Sequence, residues 1–232
     1  MNINIFKHKQ ALALHIGQLL FDKSNNQERL NIALSGGSTP KAIFDELALN
    51  YKDKIDWNKI HLYWGDERCV PPSDSESNYK MTYDHLLSKV NFPEENIHRV
   101  KGELNVNEAC NDYIDEIEKT VNKVNDLPQF DIVILGMGAD GHTASIFPYQ
   151  IELWDSEEIC VPAKHPESGQ ERVSFSGKLI NNAKEIYFLV TGIDKAEKVA
   201  EIINQKNTYQ SYPASLVKTP LWFLDEEAAS QL

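Results

Sequence analysis

Cysteine is scarce in this chain of 232 residues, where Cys69, Cys110 and Cys160 stand far apart. An odd, dispersed set of thiols matches neither a disulfide framework nor a zinc ribbon. Positive charge is in deficit too: 23 Lys+Arg face 35 Asp+Glu, a formal net charge of −12. Duplex nucleic acid and anionic membranes both need clustered Lys/Arg, so neither is expected as a partner. A small anionic ligand is not excluded, since it needs only two or three well-placed cations. Long hydrophobic runs are missing as well, and no stretch approaches the ~20 apolar residues of a membrane span. The opening MNINIFKHKQALALHIGQLLF has neither a long uncharged core nor a small-residue cleavage site, so no signal peptide is expected. A soluble cytoplasmic protein, monomeric or a small homo-oligomer, is the expectation.

What is present is a 41% hydrophobic set recurring in dense clusters along the whole chain, which argues against disorder. A chain of this length can bury about 70–75% of its unfolded surface. Helical and strand-like segments alternate. Ala11, Leu12, His15, Leu19 and Leu20 give helical spacing over 7–21. Leu30–Leu34 reads as a strand ending at Ser35-Gly36-Gly37-Ser38-Thr39-Pro40, where Ser38 or Thr39 would cap a helix striped by Ile43, Phe44 and Leu47. Ile60–Trp64 and 97–100 read as strands, and 78–89 and 106–123 as helices. Phe130–Leu135 is a continuous apolar run of the kind buried on both faces of a parallel sheet. Strands are expected at 159–162, 172–175, 186–190 and 221–224, with a helix over 194–204. This order predicts an α/β protein, a three-layer αβα Rossmann-like fold around a mostly parallel sheet. No repeat, low-complexity tract or linker divides the chain, so residues 1–232 are expected to form a single domain.

Ligands of such sheets sit outside the carboxyl ends of the strands, where three unusual loops fall. In the first, Gly36 and Gly37 let backbone approach a ligand, and Ser38, Thr39 and a helix N-terminus offer donors suited to phosphate; the bland reading is a capping turn. The Gly-Lys-Ser/Thr element of a nucleotide P-loop is missing. The second, Trp64-Gly65-Asp66-Glu67-Arg68-Cys69-Val70-Pro71-Pro72, runs on to Ser77-Asn78-Tyr79. Its acids and arginine read either as a surface salt-bridge cluster or as a hydroxyl acceptor (Asp66) and phosphate clamp (Arg68). The third, Gly136-Met137-Gly138-Ala139-Asp140-Gly141-His142, contains a formal G-x-G-x-x-G. A dinucleotide site is rejected, because Pro148 leaves little room for a helix and no acidic residue ends the next strand. His142 can take and return a proton near neutral pH, with Asp140 orienting its ring. Arg172 opens a strand and Lys195 a helix; each is either a solvated charge or part of the same crevice. No His/Cys/Asp spacing matches a metal site, and G-x-S-x-G is absent.

Taken in order, ALSGGSTP (33–40), WGDERCVPPSDSESNY (64–79), GMGADGHTASIFP (136–148), RVSFS (172–176) and TGIDKA (191–196) resemble the 6-phosphogluconolactonases over nearly the whole chain. Their wider group includes glucosamine-6-phosphate deaminase and ribose-5-phosphate isomerase. The resemblance implies hydrolysis of 6-phospho-D-glucono-1,5-lactone to 6-phosphogluconate in the oxidative pentose phosphate pathway, with a sugar phosphate lactone as partner and no metal or organic cofactor. It further implies His142 as general base supported by Asp140. Gly36, Gly37, Ser38, Thr39, Arg68, Arg172 and Lys195 would then hold phosphate and lactone oxygens, while Asp66 would contact substrate or brace Arg68. A deaminase would carry Asp-Glu-Tyr where Asp66-Glu67-Arg68 stands, and an aromatic, Asn and Glu context after the histidine. A non-catalytic sugar-phosphate sensor is the remaining alternative.

Overall fold

A computed structural model describes residues 2–232. The chain runs β1 (Asn2–Phe6), α1 (Lys9–Asn26), β2 (Leu30–Leu34), α2 (Ser38–Asn50), β3 (Ile60–Trp64), β4 (Asp66–Arg68), α3 (Asn78–His85) and α4 (Val106–Thr120). A two-stranded hairpin follows, β5 (Lys123–Val124) and β6 (Leu127–Pro128), then β7 (Ile132–Leu135), β8 (Cys160–Lys164), β9 (Glu171–Phe175) and α5 (Gly177–Ile180). β10 (Glu185–Val190), α6 (Ala196–Ile203) and β11 (Leu221–Asp225) complete it.

Six strands form one all-parallel sheet in the order β1-β11-β10-β7-β2-β3. Successive side chains point to opposite faces, so a strand covered on both sides must be apolar throughout. β7 shows this directly. Ile132 and Ile134 join Leu12 and Ile16 of α1 and Phe44 and Leu47 of α2, whereas Val133 and Leu135 join Tyr113 and Ile117 of α4 and Val199 of α6. Two cores thus sandwich the sheet, giving the expected three layers. Among the described residues, no helix is long and apolar enough to cross a membrane.

Three expectations are corrected and one unexpected strand is added. The strands expected at 159–162 and 172–175 leave the parallel sheet and pair with β4 in a separate antiparallel sheet, β4-β9-β8. Their short connection permits only antiparallel pairing, because a parallel pair needs a crossover of a dozen residues or more. Residues 97–100 form no strand; Ile97 makes an isolated bridge to Leu62. β1, a strand not expected from the sequence, docks parallel to β11 as an edge strand. Finally, α2 is capped by Gly37 at φ 104°, not by Ser38 or Thr39, and Thr39 Oγ1 instead meets Thr191 Oγ1 at 2.8 Å.

Candidate active site

Loops leaving the carboxyl ends of β2, β3 and β7 surround a cavity of about 210 Å3. The β3 end is pinned from beneath: the Tyr113 hydroxyl accepts from Trp64 N at 2.8 Å and donates to Trp64 O at 3.0 Å. Gly65 N donates to Leu34 O at 2.8 Å and Phe175 N donates to Gly65 O at 2.8 Å, so one glycine ties both sheets to the cavity.

One wall is cationic. Arg68 on β4 and Arg172 on β9 are cross-strand partners, and both line the cavity. Like charges directly opposite one another repel. Among the described residues, neither guanidinium forms a salt bridge. Arg68 Nη1 donates to the Glu76 carbonyl, while Arg172 donates to Ser145 Oγ at 3.3 Å and to Gln170 Oε1 at 3.2 Å. The Nε groups of both arginines and the hydroxyl of Ser35 are buried without a partner among the described residues. Burial, then the charge of Arg68, pushes the Arg172 pKa below its ordinary value, with Asp66 opposing. An anion entering here would relieve the repulsion and use the idle donors.

Beneath these arginines lie two buried carboxylates. Asp66 Oδ2 accepts from the Ser145 hydroxyl at 2.7 Å. Glu67 accepts from Arg68 N (2.8 Å), Asn78 N (2.7 Å), Tyr79 N (2.8 Å) and Ser77 Oγ (3.0 Å). Burial raises the Glu67 pKa, and those four bonds oppose the rise. Glu67 therefore fixes the start of α3 against β4 and delivers Asn78 to the cavity. Asn78 Nδ2 donates to Asp66 O at 2.9 Å. A Cβ on Gly36 would lie 1.9 Å from Asn78 Oδ1, so only glycine fits opposite it.

The facing wall carries His142. Its Nδ1 meets Asp140 Oδ1 at 2.6 Å, and its backbone N donates to the same oxygen at 3.1 Å. An ionised carboxylate only accepts, so Nδ1 carries the hydrogen and Nε2 is left as the basic nitrogen. Burial raises the Asp140 pKa, but the bonds from His142 outweigh it and hold the carboxyl below its usual range. Gly138 makes room for the pair: a Cβ there would sit 2.2 Å from His142 Nδ1. Ala144, which also lines the cavity, adopts φ 49°, a left-handed conformation that costs a non-glycine residue energy. Phe147 packs 4.5 Å from the His142 ring and lies 5.7 Å from the Arg172 guanidinium, bridging the two walls.

Of the residues singled out in the sequence, Gly36, Gly37, Asp66, Arg68, Arg172 and His142 line the cavity, and Asp140 stands behind His142. Ser38 lines a different groove, with Lys9, Lys41 and Asp45. Thr39 and Lys195 are not in the lining; Lys195 Nζ bonds Asp194 Oδ2 at 2.7 Å. Asn78, Ser35 and Ser145 went unassigned to the site in the sequence, although SNY at 77–79 closed the second motif. Among the described residues, no group of three or more His, Cys, Asp or Glu is placed to hold a metal ion.

A family model described as glucosamine-6-phosphate isomerases/6-phosphogluconolactonase matches residues 7–222. The chain is 46% identical over 202 residues to a 6-phosphogluconolactonase of Treponema pallidum (strain Nichols), covering 87% of this chain and 84% of that one. It is 42% identical to a 6-phosphogluconolactonase of Haemophilus influenzae, covering 100% of both. Among solved structures, one titled as the devB protein superposes with a TM-score of 0.95 at 40% identity, covering 100% of this chain and 99% of that one.

Proposed function

The chain belongs to the glucosamine-6-phosphate isomerase/6-phosphogluconolactonase family, and from that premise we propose that it is the lactonase. It hydrolyses 6-phospho-D-glucono-1,5-lactone to 6-phospho-D-gluconate, a step of the oxidative pentose phosphate pathway. One observation carries this reading: a single cavity is lined on one wall by His142, backed by Asp140, and on the other by two opposed arginines that form no salt bridge among the described residues. The relatives named above are 6-phosphogluconolactonases, which favours this activity over the deaminase within the family.

In the proposed reaction, Arg68 and Arg172 bind anionic oxygens of the substrate and fix it in place. Binding energy from a phosphate remote from the reacting carbon is thereby converted into orientation. His142 Nε2 takes a proton from water as its oxygen bonds to the lactone carbonyl carbon. Asp140 stabilises the imidazolium that results. When the tetrahedral intermediate collapses, the carbon–ring oxygen bond breaks and His142 returns its proton to that ring oxygen. The new carboxyl group ionises and releases one proton to solvent. Asp66, bonded to Ser145, and Asn78 also line the cavity. Gly36 and Gly37 bring backbone to the cavity edge, while Ser38, Thr39 and Lys195 lie outside its lining and carry no step here.

The reading is tested by adding the protein to freshly generated 6-phosphogluconolactone and following acid release against the spontaneous rate. Acceleration is expected. Ammonia release from glucosamine 6-phosphate without lactone hydrolysis would favour the deaminase instead.

A further inference from the structure

Outside the cavity, the segment 205–217 packs against the turn that carries Asp140 and His142. Gly141, between those two residues, has φ +84°, and a Cβ built on it would lie 2.7 Å from both Cβ and Cγ of Tyr212. The base of the Tyr212 side chain therefore rests on bare backbone. Beside this contact, Gly141 O accepts from Ala214 N at 3.1 Å.

The other end of Tyr212 is tethered. Its hydroxyl donates to Glu201 Oε2 at 2.7 Å and accepts from Lys198 Nζ at 3.0 Å. Lys198 Nζ donates to the same carboxylate oxygen at 2.9 Å and lies 4.8 Å from the Tyr212 ring centroid. Asn207 Nδ2 occupies the second oxygen, Glu201 Oε1, at 2.8 Å. The bonds from Lys198, Tyr212 and Asn207 pull the Glu201 carboxyl down to about 2. Both ends of the ring are thus fixed, one to α6 and one to the His142 turn. A phenylalanine could fill the same space, so packing alone does not explain the polar tether.

We propose that Tyr212 is a positioning residue for His142, bracing Gly141 so that the imidazole stays aimed at the lactone carbonyl. The proposal rests on the lactonase reading for its kinetic consequence. The turn's backbone bonds are Gly141 N to Gly138 O and Gly138 N to His142 O, each 3.0 Å, and the Asp140–His142 bonds close within it as well. These bonds all lie within the turn, whereas the Tyr212 and Ala214 contacts to Gly141 tie it to a separate segment; displacing a catalytic group by about 1 Å can cost about 10²-fold in rate.

Tyr212→Ala and Tyr212→Phe are tested in the wild-type and His142→Ala backgrounds, with thermal melts to confirm folding. Tyr212→Ala is expected to lower kcat by about 10- to 100-fold, with KM within about twofold because the arginine wall is untouched. Tyr212→Phe keeps the ring, loses the tether and should fall between. In the His142→Ala background Tyr212→Ala should add no further loss, since the group it positions is gone. The proposal is overturned by an unchanged kcat in Tyr212→Ala, or by the same loss in both backgrounds, which would mean a general structural role. The NMR resonance of the His142 ring gives a readout independent of turnover: it should shift in Tyr212→Ala, and no shift overturns the proposal. A wild type without lactonase activity, by contrast, overturns the lactonase reading and leaves that resonance to decide the positioning role.

Discussion

Arg68 and Arg172 face one another across the β4–β9 pair, two cationic side chains in cross-strand register with no salt bridge to either among the described residues. Removing either should weaken binding of the substrate's anionic end while leaving the chemical step in place. A hydrogen bond to a charged group is worth about 1.5–3 kcal/mol, so Arg68→Ala is expected to raise KM by about 10- to 100-fold. Inorganic phosphate should also compete less well with substrate. Steady-state kinetics with phosphate as inhibitor checks both, and undiminished competition would remove Arg68 from the clamp.

Replacing Asp140 should act through the tautomer of His142. In Asp140→Asn the amide can donate toward Nδ1, which would move the imidazole hydrogen to Nε2 and silence the base. We expect kcat to fall by about 10²–10⁴-fold, the worth of a positioned acid–base group, with KM little changed. A rate near wild type would place the base elsewhere.

Gly36→Ala probes the fit between the first two loops. The added Cβ would fall 1.9 Å from Asn78 Oδ1, and Asn78 is itself buried and bonded to Asp66 O. Overpacking of this kind costs about 1–3 kcal/mol. A lowered melting temperature together with a raised KM is expected, with partial recovery in Gly36→Ala/Asn78→Ala. Wild-type melting and KM in the single variant would contradict the tight contact.

The legible parts of this protein were those written in contiguous residues. Gly36, Arg68 and His142 each sit within a few positions of a strand end, so the strand and its loop could be read together. Ser145 could not be found that way. Its importance comes from Asp66, 79 residues earlier, which the fold brings within 2.7 Å. Asn78 was likewise hidden, because its place depends on Glu67 gathering the first N–H groups of α3. The residues mark β8 and β9 as strands but not the sheet they join, because their pairing partner β4 lies about a hundred residues earlier in the chain. β1 alternates asparagine with isoleucine at a sheet edge, a pattern too polar and short to stand out before its pairing with β11 was known.

Acid stability should report on a histidine pair outside the cavity lining. His61 Nδ1 meets His98 Nε2 at 3.1 Å, and His98 Nδ1 meets Glu116 Oε1 at 2.6 Å. Burial, then the charges of Arg29 and His98, pushes His61 from 6.5 down to about 4, against the pull of Glu95. Burial also lowers His98, although Glu116 opposes it. The unfolded chain therefore takes up protons below about pH 6.5 that the native state refuses, and stability should fall as pH drops from there toward 4. In His61→Gln the decline in melting temperature between pH 7 and 4.5 should be shallower than in wild type. Equal slopes would mean that His61 titrates normally in the folded protein.

In the proposed reaction His142 turns water against a sugar phosphate lactone held by two arginines. Its most direct test is the initial rate of 6-phosphogluconate formation from freshly generated lactone, measured for wild type and His142→Ala at equal concentration. Acceleration well above spontaneous hydrolysis is expected for wild type, and a kcat lower by about 10²–10⁴-fold for the variant. Wild-type protein that leaves the spontaneous rate unchanged, or a variant as fast as wild type, would contradict it.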